Sequence, residues 1–483
     1  MEWSQLTKLS KEELKTLQNK KLKYFFRHQL PYSPYYREFF KKNNIKFSDI
    51  ETTDDLQKIP YTTKMDLAPT PEDGGKPRQF ILQPDEHLIK KYASKKELIK
   101  ILYGKITKQD IKKELEWQYK PVHIHFTTGR TALPTPFTYS SRDLEILKES
   151  GERMLNTAGI SRDETALNGF PYSPHLAFWL CFFALTKIGI TSLQTGGGKI
   201  MGSQKIMDAI EKMKMTMLIF IPGYCYHLLR EAAAQKRDFS LIKYVITGGE
   251  RIGQGMKDKI RELLEQMGAK MPQTYATYAM TEGKTAWIQC AETTGYHLYP
   301  DLEFFEVIDK DGNRVKEGEA GELVYTALDW RGSVVVRYKT GDLCQGINYD
   351  PCPHCGRTVP QIFPDIQRVS EMKEFHLTKV KGELINLNNI YPLLSGMKEI
   401  EEWRIEIKKK NNDPYEIDEM ILFVALKKNI DFDQFKPQLE KQFKNMVFIS
   451  PEIRKEDVKT ILNKIGMETE LKEKRITDLR PKD

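Results

Sequence analysis

Apolar positions change their spacing from segment to segment along the chain, and each spacing predicts a different kind of element. In "LSKEELKTLQNKKLKYFFRH" they recur at helical intervals, and Ser10, three residues ahead of Glu13, marks the helix start with a capping-box pattern. The Pro and Tyr cluster in "LPYSPYYREFF" ends this helix and begins a second. Between about 67 and 120 the pattern becomes irregular and lysine-rich, first "APTPEDGGKPRQ" and then "KKELIKILYGKITKQDIKKELEW", which predicts an inserted loop followed by surface helices.

From 121 onward short apolar runs alternate with helical patterns: "TSLQTGGG", a helix through "SQKIMDAIEKMK", "MLIFIPG", another helix, and "KYVITGG". Short strands separated by helices predict an α/β fold with a largely parallel sheet. Between 304 and 340 the period becomes two. Strands are expected in "FFEVID" and "RVKEG", on either side of a hairpin turn at Asp311 and Gly312, and again in "GELVYTAL" and "SVVVRYKT", giving a β-rich part attached to the α/β body. Farther on, "EWRIEIKKK" and "EMILFVALKK" read as strands around the turn "NNDP", and "FDQFKPQLEKQFKN" as a helix. The expected domains are a large N-terminal α/β domain, 1–366, and a small α+β C-terminal domain, 367–483. The first would hold the lysine-rich insertion at about 70–120 and the β-rich part at about 285–360.

A length of 483 residues exceeds the roughly 250 to 300 at which one core stops growing, which agrees with more than one domain. With 40% hydrophobic and 29% charged residues the chain suits a globular protein. The surplus of 75 basic over 67 acidic residues comes from lysines interleaved with glutamates, the pattern of a solvated surface, so no nucleic-acid partner is expected. The first residues are charged and lack an apolar signal core. The longest apolar run, "HLAFWLCFFAL" at 175–185, falls short of the roughly 20 residues that cross a bilayer. A cytoplasmic location without a membrane partner is expected, and the six cysteines are then expected as thiols or metal ligands rather than disulfides.

Three places hold residues suited to chemistry. In "IHFTTGRTALPT", Thr127, Thr128, Gly129, Arg130 and Thr131 crowd hydroxyls, backbone N–H groups and a fixed charge into one turn after a short strand. Such a turn can wrap anionic oxygens, although most Ser/Thr/Gly turns are only turns. Glu282 follows the hydroxyl-rich "TYATYAMT", and Asp342 follows Gly341, where the chain can turn sharply and aim a carboxylate into a cleft. Singly, each carboxylate also reads as an ordinary surface group.

Taken in order, the Ser/Thr/Gly loop, "TGGE", "YAMTE", "GELVYT", "YKTGDL" and a late lysine resemble the adenylate-forming superfamily, and within it the phenylacetate-CoA ligase family. The opening "LQNKKLKYFFRHQLPYSPYYREFF" with "LQKIPYTTKMDL" is similar to that family's opening, "TGGGKIMGSQKIMDAIEKMKMTMLIFIPGYCYHL" to its middle and "KEKRITDLR" to its end. Only the stretch near 70–120 lies outside the likeness. The resemblance implies the adenylate-forming enzyme fold and an ATP-dependent ligase that joins a carboxylic acid to AMP, releases pyrophosphate and passes the acyl group to CoA. It implies ATP, CoA and Mg²⁺ together with a small-molecule acid, and it is compatible with a homodimer.

By position the family pattern gives catalysis to Lys472, Glu282 and Thr127. Thr127 to Thr131 would hold the phosphates and Glu282 the Mg²⁺. Tyr278 would lie against the adenine, with Gly248, Gly249 and Glu250 lining its pocket, Thr277 and Thr281 at the same nucleotide site, and Asp342 on the ribose hydroxyls. Lys472, in "ELKEKRITD", matches the lysine that bridges the acid and the α-phosphate; Lys474 is its competitor and a solvated basic tail the plain alternative. Arg368 falls where the family has its hinge before a mobile C-terminal domain, at a longer than usual spacing from Gly382.

Family members also carry a cysteine and a histidine after the Mg²⁺ glutamate, and a later cysteine pair before "GRT". Here "IQCAETTGYH" supplies Cys290 and His297, and "PCPHCGRT" supplies Cys352 and Cys355. Three thiolates and one imidazole suffice for a closed structural Zn²⁺ site, with Cys344 and His354 as substitute ligands. The alternative is reduced thiols that punctuate turns. Cys181 and Cys225 sit in apolar or aromatic runs and are expected in the core.

The chain departs from the family pattern at Ala132 and Leu133, where a glycine and a lysine are usual, and at Ala276, where an Asp or Asn reaches the adenine. The acid is not specified. Tyr172, His175 and Phe178, in an expected buried helix, would suit an aryl or otherwise apolar carboxylate if they border its pocket. Three readings compete: an acid–CoA ligase, an adenylating enzyme that serves a carrier-protein thiol or another acceptor, and a binding protein that has lost turnover.

Overall fold

Ser10 accepts the Glu13 N–H and Glu13 accepts the Ser10 N–H, so the first long helix, Lys11–His28, starts where the capping box predicts. It buries Leu14, Leu22, Phe25 and Phe26, and Ser33 caps the next helix, Pro34–Lys42. In this computed structural model the described residues are 1–70, 73–107, 110–127, 134–368, 378–380, 383–385, 390–409, 418–447, 451–470 and 473–480. They form two units, one made of 1–164, 172–192 and 277–366, the other of 165–171, 193–276 and 367–483.

In the first unit the lysine-rich insertion forms the helices Glu86–Tyr92, Lys95–Ile106 and Ile111–Tyr119. The strand Pro121–Phe126 then pairs antiparallel with Pro136–Ser140 rather than joining a parallel sheet. Ser140 and Asp143 form another capping box and launch the helix Ser141–Thr157. That helix packs on Leu176–Ile188 at a point where a side chain on Gly151 would collide with Ala184.

Three antiparallel strands, Glu303–Ile308, Gly321–Ala327 and Tyr338–Cys344, make the β-rich part. Two expected strands do not form there. In "RVKEG" only Arg314 bridges back to Ile308, because a turn at Lys316 to Glu319, with Gly318 at positive φ, bends the chain away. In "SVVVRYKT" the strand begins only at Tyr338. Ser333 bonds to Thr138, Val334 to Phe80 and Val335 to Ala327, and Arg337 at φ 49° breaks the run, so the buried valines pair piecemeal with different segments.

In the second unit, the strands Thr165–Asn168, Met217–Phe220 and Tyr244–Thr247 run parallel, followed by the first half of Gln273–Met280. Their continuous apolar sequence suits strands covered on both faces. Leu218, Phe220 and Val245 pack with Ile206, Leu228, Leu229, Ile260 and Leu264 from the helices Ser203–Lys212, Pro222–Ala234 and Gln254–Gln266. The C-terminal part of this unit is a sheet in the order Glu452–Lys455, Asp418–Leu426, Ile400–Lys409, Ile476–Asp478, backed by the helix Phe432–Val447. The expected turn at "NNDP" lies outside the described residues. No described helix is long and apolar enough to cross a membrane.

Candidate active site and metal centre

Past Ala276 the strand Gln273–Met280 pairs antiparallel with Thr285–Ile288, and the turn between them carries Glu282. Facing this hairpin is the strand Tyr338–Cys344, which carries Asp342 just after Gly341, a glycine at φ 74°. The two segments are tied reciprocally. Tyr338 Oη donates to Glu282 Oε1 at 3.1 Å, and Tyr278 Oη donates to Asp342 Oδ2 at 2.8 Å. The Tyr278 ring stacks on Trp287, centroids 5.3 Å apart, and Asp342 also anchors its own turn by donating its N–H to Thr340 Oγ1. Two carboxylates are thereby held on a rigid frame of aromatic rings and strands. Thr277 pairs with Ile288, and Thr281 accepts the Lys284 N–H at 3.2 Å to close the turn under Glu282.

Sequence reasoning did not single out the group that pins this turn. Lys284, at φ 59° and fully buried, reaches Asp143 Oδ2 at 3.0 Å, and Asp143 is fully buried as well. Asp143 also accepts the N–H groups of Ser140, Arg331 and Gly332. Burial pushes the Lys284 ammonium down from its ordinary pKa, and the Asp143 carboxylate opposes that shift. The ammonium lies 4.9 Å from the Tyr139 ring centroid and 5.3 Å from that of Trp330, so aromatic faces add to its stabilisation. The position of Lys284, two residues after Glu282, was the only signal available.

Thr127 is tied to Thr135. Its N–H donates to Thr135 O at 3.0 Å and its Oγ1 accepts the Thr135 N–H at 3.1 Å. Thr128, Gly129, Arg130, Thr131, Ala132 and Leu133 lie outside the described residues. Behind Thr127 runs a second group missed at the sequence level. His123 Nε2 lies 2.8 Å from His125 Nε2, and His125 Nδ1 lies 2.9 Å from Tyr139 Oη. Burial, reinforced by His123, pushes His125 down to about 3, so this imidazole is neutral. The alternating "HIH" places both histidines on one face of a strand, a visible cue. Of Tyr172, His175 and Phe178, only Phe178 lies in the expected buried helix and is buried, since the helix Leu176–Ile188 starts after His175, whose Nδ1 lies 2.9 Å from the Phe126 carbonyl, and Tyr172 is half exposed with its ring edge on Phe178.

In the second unit, Gly248, Gly249 and Glu250 leave the C-terminal end of Tyr244–Thr247, the end at which open parallel sheets present their loops to ligands. Gly248 donates to Phe220 O, and Gly249 has φ 80°, a conformation that other residues adopt only with strain. Ala276 is buried at the end of the parallel pairing. Lys472 and Gly382 lie outside the described residues, and Arg368 belongs to the strand Gln367–Arg368 with its side chain outside them. Lys474 is exposed. Beside it Arg475 is buried and bonds Glu402 at 2.7 Å; Glu402 in turn bonds Arg230 at 2.9 Å, fastening the C-terminal segment to the helix Pro222–Ala234.

The four expected metal ligands converge in the first unit. Cys290, His297, Cys352 and Cys355 place their ligand atoms within 4.8 Å of one another. Short strands bring them together: Tyr296–His297 pairs with Gln361–Ile362, which pairs with Ile347–Asn348 and so brackets the Cys352 and Cys355 turn. That turn closes through Gly356 N–H to Cys352 O and Cys352 N–H to Arg357 O. Cys290 Sγ is 3.5 Å from Cys352 Sγ, and Cys355 Sγ is 3.7 Å from His297 Nε2. A tetrahedron with Zn–S bonds of about 2.3 Å has edges of about 3.8 Å, so the spacing fits such an ion. Hydrogen bonding from Cys290, against the cost of burial, holds the Cys355 thiol toward the thiolate that a metal requires. His354 Nδ1 also lies 3.6 Å from Cys290 Sγ, whereas Cys344 is not in the cluster. Burial pushes the Cys181 and Cys225 thiols up to about 12, as suits core residues.

A family profile described as AMP-binding enzyme matches residues 67–327, and so spans the stretch near 70–120 that the likeness of motifs had left out. The phenylacetate-coenzyme A ligase of Escherichia coli is 24% identical over 339 residues, 69% of this chain and 67% of that protein. The phenylacetate-coenzyme A ligase of Thermus thermophilus is 24% identical over 398 residues, 80% and 79% of the two chains. Among solved structures, 2-hydroxyisobutyryl-CoA ligase in its postadenylation state with 2-HIB-AMP shares the fold at a TM-score of 0.74 and 20% identity, covering 99% of this chain and 92% of that one.

Proposed function

The chain belongs to the AMP-binding enzyme family, and from that membership we propose that it is an ATP-dependent acid–CoA ligase of the phenylacetate-CoA ligase type. A carboxylate oxygen attacks the α-phosphorus of ATP and the bond to pyrophosphate breaks. The thiol sulfur of CoA then attacks the acyl carbon, the acyl–AMP bond breaks, and AMP and the thioester leave. The observation that carries this reading is the pair of carboxylates, Glu282 and Asp342, held by reciprocal tyrosine hydrogen bonds on one rigid frame.

Each residue takes a part of this chemistry. Asp342 accepts from the ribose hydroxyls, Tyr278 faces the adenine, and Gly248, Gly249 and Glu250 keep the adenine contacts of the family pattern. Thr277 and Thr281 support the same site. Glu282 would hold Mg²⁺, which when bound neutralises charge on the phosphates. Thr127 fixes the base of the phosphate loop, whose residues Thr128 to Thr131 cradle anionic oxygens, and Arg130 stands in for the lysine absent at Leu133. Lys472 aligns the acid with the α-phosphate, and the segment 367–483, hinged at Arg368, changes pose between the two steps.

Cys290, His297, Cys352 and Cys355 would hold a structural Zn²⁺ that pins the β-rich part, in a reducing cytoplasmic compartment that keeps the thiols free. Where Tyr172, His175 and Phe178 border the acid's pocket, an aryl or otherwise apolar carboxylate would fit. The test is pyrophosphate release from ATP and Mg²⁺ over a panel of aryl and aliphatic acids, with and without CoA. Release that depends on an acid and rises with CoA supports the ligase. Acid-dependent release indifferent to CoA points to another acceptor, and none with any acid points to a binding protein.

A further inference from the structure

The helix Lys95–Ile106 lies in the lysine-rich stretch near 70–120, and its apolar face is turned outward. Ile99, Leu102, Tyr103 and Ile106 follow the i, i+3, i+4, i+7 spacing of a helix stripe, yet they are 66%, 60%, 61% and 81% exposed. A globular helix buries such a stripe. This one buries its other side instead: Gly104 is covered, and Leu98 and Ile101 are half-buried. Exposed Lys95, Lys96 and Lys100 border the stripe, and Lys100 is bonded at 2.9 Å to Glu114 of the next helix, Ile111–Tyr119, which exposes Trp117. Directly after it, Val122 and Ile124, alternate residues on one face of a strand, are exposed too.

Charge says what could cover this face. Residues 90–120 contain ten lysines against four acidic residues, a surplus of six in a chain whose total is +8. We propose that the outward stripe of the helix Lys95–Ile106, with its lysine borders and Trp117, is a docking surface for an anionic lipid bilayer. Apolar side chains enter the acyl boundary, lysine stems lie along it with their ammonium groups at the headgroups, and the indole sits at the interface. A second copy of the chain is disfavoured, because stripe against stripe would bring the two lysine borders together. The sequence-level expectation of no membrane partner is revised for surface contact only.

The docking does not rest on the ligase reading, but its use does. An acid apolar enough to be drawn from a bilayer would be collected there, and its CoA thioester would return to water. The test is co-sedimentation of the full-length protein with vesicles of phosphatidylcholine alone and with about 30% phosphatidylserine. The expected result is at least about tenfold stronger partition onto the anionic vesicles, falling with added salt. Ile99→Ser/Leu102→Ser/Ile106→Ser and, separately, Lys95→Glu/Lys96→Glu should each abolish it without lowering the thermal midpoint, since all five positions are exposed. Equal partition onto both vesicles, or binding unchanged in both variants, overturns the proposal. So does a dimer in light scattering that the triple substitution converts to monomer. Vesicle binding needs no turnover, so an inactive protein that still docks would overturn the ligase reading and leave this one standing.

Discussion

Lys284 and Asp143 form an ion pair with no exposed surface on either partner, and the pair fixes the turn that carries Glu282 to the start of the helix Ser141–Thr157. Removing one partner of such a pair leaves a charge buried and costs about 3 to 5 kcal/mol. Lys284→Met should therefore lower the unfolding free energy by about that amount and raise KM for Mg·ATP more than it lowers kcat. Adding Asp143→Asn should recover part of the stability. Unchanged unfolding and KM in the single variant would contradict this role. A second residue sets a pH dependence. Burial pushes the Glu303 carboxyl up from 4.5 to about 8; its Oε1 accepts from Trp287 and Tyr299, while Oε2 is buried without a partner among the described residues. The folded protein keeps a proton there that the unfolded chain releases, so stability falls as pH rises from about 4.5 to 8 and levels off above. Glu303→Gln should remove that slope, of order 1 kcal/mol per pH unit, in unfolding followed across this range. At this scale the convergence of Cys290, His297, Cys352 and Cys355 was legible because their types and spacing are distinctive. Lys284 and Asp143 were not, since only the fold makes them neighbours, whereas His125 had its cue in the alternating "HIH".

The strands around the Cys290, His297, Cys352 and Cys355 cluster are too short to hold themselves. Tyr296–His297, Ile347–Asn348 and Gln361–Ile362 have two residues each, so an ion held by the cluster would be the cross-link between the loops they join. Cys352→Ser should lower bound zinc, measured by elemental analysis, together with the thermal midpoint. A protein with undiminished zinc and an unchanged midpoint would take Cys352 out of the site. Local signals gave the elements wherever they were self-contained: the capping box at Ser10, the apolar strand Met217–Phe220, the amphipathic helix Ser203–Lys212. They failed at Val334 to Val336, whose alternating and apolar character comes from being buried among several segments and not from membership of one sheet.

At the level of the whole molecule, the order of motifs sufficed for the α/β class and the family, because it samples most of the chain. The grouping of 165–171, 193–276 and 367–483 into one unit was not legible, since a linear reading does not see which distant segments pack together. The buried bonds from Arg475 through Glu402 to Arg230 show how such packing is made. Next to them in sequence, Lys472 should serve the first step alone. Lys472→Ala should abolish acyl-adenylate formation and leave transfer from supplied acyl-AMP to CoA largely intact; equal loss of both would give Lys472 another role. The adenylate route itself is decided by a carboxylic acid labelled with a heavy oxygen isotope, turned over with ATP and CoA and followed by mass spectrometry. Adenylation requires one labelled oxygen to pass from the acid into AMP, while pyrophosphate stays unlabelled. Thioester formation with no label in AMP, or with label in a phosphate released alongside ADP, would contradict it.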